Sequence, residues 1–528
     1  MKKLMMAAVL LTAAWQAEAK LTLATPFADG MVLQRDMKVP VWGWADAGEK
    51  ITVVFGGQKL TAVADAEGRW RVDLAPMPAS TEGRTLTASA WNGHNAKWSN
   101  CWGLFAACEE GDLVEVKDVL VGEVWYCAGQ SNTELPLCGT SPHFRDRKGA
   151  MRAMLTRKPN IRFAYCSNYR CAVDPKAKAD YKVEWKKFMP PALLGKDGGR
   201  SFSAMGVHFA LELYSALDIP VGIVGSYWGG TRIEPWTPRE GFAMTKGCDA
   251  EAAYRADVKN YKPELMAKMP NPSSRVQDQP SVLWNEMVAP WAPFALRGFI
   301  WYQGCSNARQ HERYAMLMHA LYNGWSRHFE NPDLKLAFVQ LAPWGNDTIP
   351  YIQEAQAVFA AEEKNARMAI INDIANLKDI HPYDKETVGQ RLAALVLKHD
   401  YGFADIVADA PEFAGGRVDG AKAILSFRNA EQLYLYNPDF GIENGFELAG
   451  ADGQFKPAKL VNLQPRRNGG KTDASRSLGL FSGRDIVLQA DGVAQPTQVR
   501  YLYSSPWYGG IHNEGNMPLG AFHAQLGK

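Results

Sequence analysis

The 528-residue sequence predicts an α/β fold, a parallel sheet flanked by helices, with a β-rich segment on either side of it. Three observations carry this. Helical and strand periods alternate from about residue 119 to about 400, short alternating runs fill 21–116, and β-like text returns after about 402. A chain of this length exceeds what one hydrophobic core ordinarily supports. The pattern divides it into a leader at 1–19, a sandwich-like β unit over 20–117, an α/β unit over 118–405 and a β-rich unit over 406–528.

The elements follow in order. Lys2 and Lys3, the apolar run 4–15 and the small-residue site Ala17-Glu18-Ala19 read as a secretory signal, which predicts a periplasmic or secreted product starting near Lys20. That run is too short to span a membrane, and no later stretch is long and apolar enough. Residues 39–42 and 51–55 alternate as strands; after a turn at 65–68, Trp70, Val72 and Leu74 share one strand face. Residues 119–127 form an apolar run rich in β-branched and aromatic side chains. Residues 203–216 have helical spacing at Val207, Leu211 and Tyr214, and 221–225, 298–302 and 337–341 read as strands. Asp384 caps a closing helix over 387–398. The polar stretches 141–158 and 258–279 read as loops or lid-like insertions. Strands at 424–427, 433–436 and 499–503 mark the third, β-rich unit, which is either accessory or lends residues such as Trp507 or His512 to the cleft.

Composition narrows the function. With 58 basic against 56 acidic side chains and no basic stripe, nucleic acid is excluded as a partner. The 17 Trp and 19 Tyr fill cores, and a minority suit stacking on sugar faces. Eight cysteines include the close pairs Cys101/Cys108 and Cys166/Cys171, the natural disulfide candidates in an oxidising compartment. No histidine or cysteine spacing suits zinc, so no metal and no cofactor are expected.

The chemistry centres on Gly129-Gln130-Ser131-Asn132, where the apolar run stops at a glycine and presents a serine. Such a tetrapeptide is an ordinary turn unless the chain also supplies a base and oxyanion donors. His381, in Asp379-Ile380-His381-Pro382, is the side-chain type whose pKa suits a base near neutrality. Gly229-Gly230 after a strand can bring the Gly230 N–H close to a substrate, and the Ser131 N–H is a second donor. A third is a side-chain amide, from Gln303 or Asn307.

These blocks, with WGGT at 228–231 and WYQG at 301–304, resemble in order and context the sialate O-acetylesterase family of the wider SGNH group of serine esterases. Met31-Val32-Leu33-Gln34, Ser203-Ala204 and Val499-Arg500-Tyr501 extend the similarity along the mature chain. The resemblance implies an SGNH-hydrolase-like sheet, a Ser131 nucleophile, a His381 base, and removal of O-acetyl groups from sialic acids through an acyl-enzyme, without a cofactor. Arg232 then meets the sialate carboxylate, or else forms a structural salt bridge. Acetylated xylan or pectin as the substrate, or glycan binding without catalysis, are the alternatives.

Three positions depart from the family pattern. Thr133 stands in place of Met and Cys305 in place of Glu. Lys378 occupies the place of the Asp often found three residues before the histidine, leaving Asp379 or Asp373 as third member, or a Ser–His dyad oriented by a backbone carbonyl. The offset of two residues favours a mild role for Asp379.

Overall fold

One strand, Leu113–Gly129, joins the two halves of the main body. Its first half pairs antiparallel with Ser80–Trp91, and Leu120 to Gly122 pair in parallel with Val32–Gln34. Its second half pairs in parallel with Val221–Tyr227 on one side and Gly298–Tyr302 on the other. Residues 113–118 are partly exposed apart from the buried Val116, whereas every residue from 119 to 129 is buried, as a largely apolar run interrupted only by Glu123 predicts for a strand covered on both faces. The change coincides with a register shift between Val116 and Val119, where Asp118 adopts φ 55°. The boundary expected between 117 and 118 therefore falls at a bulge inside a continuous strand, and one hydrophobic core extends across it from Leu21 to Ala408.

The computed structural model describes residues 21–91, 96–101, 104–109, 112–137, 160–166, 169–179, 181–188, 202–248, 276–345, 347–437, 444–465, 477–503 and 510–527. The leader at 1–19, the insertion at 141–158, most of 258–279, Trp507 and the side chains of Cys101 and Cys108 lie outside them. Cys166 and Cys171 do not form the expected bridge. The Cys166 thiol is buried against the Tyr126 hydroxyl, 3.4 Å away, and burial raises its pKa to about 12. Among the described residues no helix is long and apolar enough to cross a membrane, and no cluster of His, Cys, Asp and Glu suits a metal ion.

The central sheet runs in the order Trp185–Lys187, Ile161–Tyr165, Val221–Tyr227, Leu113–Gly129, Gly298–Tyr302, Lys335–Val339, Ala366–Ala369. All are parallel except the Trp185–Lys187 edge. The chain passes from Leu113–Gly129 first to one side of the sheet and later to the other. Gly129 therefore ends at the switch point of a parallel sheet, the crevice where such folds bind ligands. The Ala204–Leu217 and Lys385–Asp400 helices pack together, each capped as their sequences predict: Ser203 accepts the Gly206 N–H at 3.1 Å and Asp384 the Thr387 N–H at 2.9 Å. Below the switch point the fully buried Glu123 accepts hydrogen bonds from Arg35, Arg297, Gln34 and Tyr401, tying the N-terminal strands to the sheet.

The N-terminal strands keep the predicted alternation, with Trp70, Val72 and Leu74 buried and Arg69, Arg71 and Asp73 exposed. Among the described residues the C-terminal unit contains a seven-stranded sheet and a four-stranded one around its own core, which includes Phe427, Leu488 and Val499. It docks on the central unit through polar contacts. Asp373 accepts both Arg391 amino groups at 2.6 and 2.7 Å and faces His512 Nε2 at 3.3 Å, while the Tyr503 hydroxyl donates to Glu354 at 2.6 Å. His512, considered for a role in the cleft, is buried in this contact instead.

Candidate active site

Three of the four sequence blocks converge because they end adjacent strands. Ser131 follows Leu113–Gly129, Trp228 and Gly229 follow Val221–Tyr227, and Gln303 follows Gly298–Tyr302. Gly129 permits the turn: it adopts φ 143°, and a Cβ there would stand 2.4 Å from the Tyr302 carbonyl oxygen. Ser131 opens the short helix Ser131–Glu134, whose first N–H groups receive no side-chain cap. Its N–H accordingly stands at a helix start, where negative charge is favoured.

His381 comes from farther away, since Ala366–Ala369 lies three strands from Leu113–Gly129. The loop after that strand reaches back over the sheet and is held there by Asn132, whose Nδ2 donates to the Ile380 carbonyl at 3.0 Å. His381 Nε2 stands 2.9 Å from Ser131 Oγ, and His381 Nδ1 stands 3.1 Å from Asp379 Oδ1. The same oxygen accepts the His381 backbone N–H at 3.0 Å. An offset of two residues therefore suits the contact, because an aspartate that accepts the N–H two residues on forms an Asx turn that folds its carboxylate under the ring. The Tyr383 hydroxyl donates to Asp379 Oδ2 at 3.2 Å. Asp373, the competing candidate, is instead committed to Arg391 and His512.

Burial pushes the His381 pKa down, the Lys385 charge adds to this, and Asp379 opposes it; the net direction is below the ordinary 6.5. For Asp379 burial raises the pKa, but the His381 N–H groups and charge and the Tyr383 hydroxyl outweigh it, so the carboxyl is held below the usual range. His381 is thus the neutral acceptor and Asp379 the anion across the neutral range. If Ser131 reacts through His381, kcat/KM on an uncharged acetyl ester will rise with pH through an apparent pKa below 6.5, since only the unprotonated imidazole accepts a proton. A pH–rate profile checks this, and an acid limb centred above 6.5 would contradict it.

The glycine turn packs on the serine: a Cβ on Gly229 would lie 3.3 Å from Ser131 Cβ. Gly230 is exposed with φ 76°, and its N–H has no acceptor among the described residues. The two expected amide donors differ from this. Gln303 Nε2 donates to the Thr231 carbonyl at 3.1 Å and to Asn307 Oδ1 at 2.8 Å, and its oxygen accepts from Tyr314. Both Gln303 amide hydrogens therefore brace the wall of the site, and Gln303 as a third donor is corrected. Asn307 is also fully buried, accepting the Ile233 N–H and donating to Glu234.

Three residues absent from the sequence reading complete the site. Glu134 accepts the Gly229 N–H at 2.8 Å and bonds the Tyr169 hydroxyl, fixing the glycine turn against the serine helix. Tyr169 is half exposed and lies against Trp228, ring centroids 5.1 Å apart, forming an aromatic face beside the turn. Lys385 is buried, and its Nζ donates to Asn132 Oδ1 at 2.6 Å. A sequence signal for Lys385 existed: a lysine directly after the Asp384 cap places a cation at a helix N-terminus, where the dipole disfavours it. Glu134 had none, because its partner is 95 residues away. Thr133, in place of the family's Met, bonds the Tyr302 carbonyl at 3.1 Å, and Cys305 is a neutral thiol whose pKa burial pushes up to about 12.

A parallel sheet carrying a linked serine, histidine and aspartate beyond its strand ends is an arrangement shared by enzymes that cleave esters by acyl transfer. Comparison with known proteins is more specific: residues 121–398, over half of the chain, match the family described as carbohydrate esterase, sialic acid-specific acetylesterase, and the protein belongs to that family. Sialate O-acetylesterase of Rattus norvegicus is 26% identical over 427 residues, covering 72% of this chain and 74% of the rat protein. The Homo sapiens enzyme of that name is 25% identical over 438 residues, covering 78% and 76%. Among solved structures, a carbohydrate acetylesterase from Xanthomonas citri superposes with a TM-score of 0.73 at 29% identity, covering 96% of this chain and 99% of its own.

Proposed function

We propose that the protein removes O-acetyl groups from sialic acids by a serine acyl-enzyme mechanism. The observation that carries this reading is the continuous contact from Ser131 Oγ through His381 to Asp379. Ser131 Oγ attacks the acetyl carbonyl while His381 Nε2 takes its proton. The tetrahedral oxyanion accepts hydrogen bonds from the N–H groups of Ser131 and Gly230. His381 then protonates the leaving sugar oxygen, and water repeats the sequence on the acetyl-enzyme to release acetate. Asp379 holds the imidazole with its Nδ1–H inward and stabilises the imidazolium. The leader-like segment 1–19 supports a periplasmic or secreted location.

Arg232 supports the choice of sialate. It sits partly exposed two residues beyond Gly230 and makes no ion pair among the described residues, so the structural salt bridge that would occupy it is absent there. Its guanidinium can take a carboxylate in a two-pronged contact. Acetate release from acetylated sialic acid, xylo-oligosaccharides and pectin tests the assignment, and the sialate ester should be the best substrate. Arg232→Ala should cut kcat/KM on the sialate ester by about 10- to 100-fold, the value of one charge-assisted contact, and leave a neutral acetyl ester unaffected. Better turnover of a xylan or pectin ester would favour the second reading, a deacetylase of another glycan, which the Xanthomonas citri relative, named only for carbohydrate, supports.

A further inference from the structure

Lys385 is an unusual residue to find where it is. Its side chain is almost wholly buried, at 2% exposure, and it occupies the first position of the Lys385–Asp400 helix, where the backbone dipole repels a cation. Burying an ammonium group is costly unless it is hydrogen-bonded. Here Nζ donates to Asn132 Oδ1 at 2.6 Å and lies 5.4 Å from the centre of the Tyr302 ring. Asn132 is the residue after Ser131, and its Nδ2 donates at 3.0 Å to the carbonyl of Ile380, the residue before His381. The chain Lys385, Asn132, Ile380 thus ties the serine turn to the first turn of the helix and to the histidine loop just before it, a stretch some 250 residues away that meets the serine turn only in the folded protein. Both ends of the Asn132 amide are committed, so its orientation is set.

We infer that Lys385 is a positioning residue that, through Asn132, holds the backbone before His381 in register with Ser131. The inference rests on the serine–histidine reading above. Without the lysine the Asn132 amide loses the partner that fixes its orientation, and the loop bearing His381 loses its tie to the serine turn. A displacement of the base of about 1 Å can cost about 10²-fold in rate. The cation has a second effect on the same imidazole. Among the described residues, the groups that face His381 include Asp379 from its own loop, Ser131 from the serine turn and Lys385 from the helix, with Tyr383 acting through Asp379; Cys305, which faces Lys385, is neutral. Lys385 is the cation of that set, and it favours the unprotonated base.

The test is a pH–rate profile of Lys385→Met, Lys385→Arg and Asn132→Ala on one uncharged acetyl ester, with Ser131→Ala alongside and thermal unfolding of each. Lys385→Met should lower the plateau kcat/KM by about 10- to 100-fold and move the acid limb upward, because the cation that favours the unprotonated imidazole is gone. Lys385→Arg should keep the limb in place, and Asn132→Ala, which removes the tie but keeps the charge, should lower the plateau without moving the limb. A Lys385→Met limb at the wild-type position, or a loss of rate that only parallels a loss of thermal stability, overturns the inference. If Lys385→Met does not fold, Asn132→Ala decides: a plateau within about twofold of wild type overturns it, a larger fall supports it. Ser131→Ala separates the two levels. Its retaining turnover overturns the serine–histidine reading itself, whereas an inactive Ser131→Ala beside an unmoved Lys385→Met limb overturns the role of Lys385 alone.

Discussion

Ser131→Ala should reduce acetyl-ester turnover by about 10⁶-fold, the loss expected when a covalent mechanism is deprived of its attacking atom. The fold should survive, because the side chain lost is a single hydroxyl whose bond is to His381 at 2.9 Å, and the turn around it is built by Gly129, Thr133 and Glu134. What activity remains would come from the Ser131 and Gly230 N–H groups acting on bound ester with water as nucleophile. Steady-state turnover of a small acetyl ester measures the effect, and a serine-directed phosphonate should label wild-type protein at Ser131. A variant within tenfold of wild type would remove Ser131 from the chemistry.

The next largest effect is expected at Asp379. Asp379→Ala removes the carboxylate that faces Nδ1 and the acceptor of the His381 backbone N–H, so turnover should fall by about 10⁴-fold. Asp379→Asn should cost less, because the remaining Oδ1 can still accept both His381 N–H groups while the charge that stabilises imidazolium is gone. Two substitutions at one position thereby separate orientation from charge. Asp373→Asn is the control: its partners are Arg391 and His512, so it should weaken the seat of the C-terminal unit and lower the melting temperature with turnover of folded enzyme retained. Asp379→Ala within tenfold of wild type would mean that the imidazole is oriented without the carboxylate.

The offset that made Asp379 look displaced in the sequence is what suits it in the fold. A sequence motif counts residues along the chain, but the direction of a carboxylate depends on the local turn, and here the Asx turn folds the side chain back on its own backbone. Gln303 shows the reverse case. Its position after a central strand was legible, yet whether an amide donates to substrate or to the wall depends on Thr231, Asn307 and Tyr314, which reach it from other segments.

Local physical chemistry made the rest readable from the sequence. Ser203 and Asp384 cap their helices because a side-chain oxygen satisfies orphan N–H groups within three residues. The alternation of Trp70, Val72 and Leu74 sets a strand face, and the largely apolar run before Gly129 marks a strand buried on both sides. Those signals act over a few residues, and so the sequence by itself determined the capped helices, the strand faces and the serine turn. Strand order was decided only by the tertiary structure. It places Leu113–Gly129 at the switch point, with Trp228 and Gln303 beyond the strands on either side, and brings Asn132, Lys385 and the His381 loop together across some 250 residues. Contacts at that separation arise from packing of the whole sheet, and no pattern within one segment encodes them.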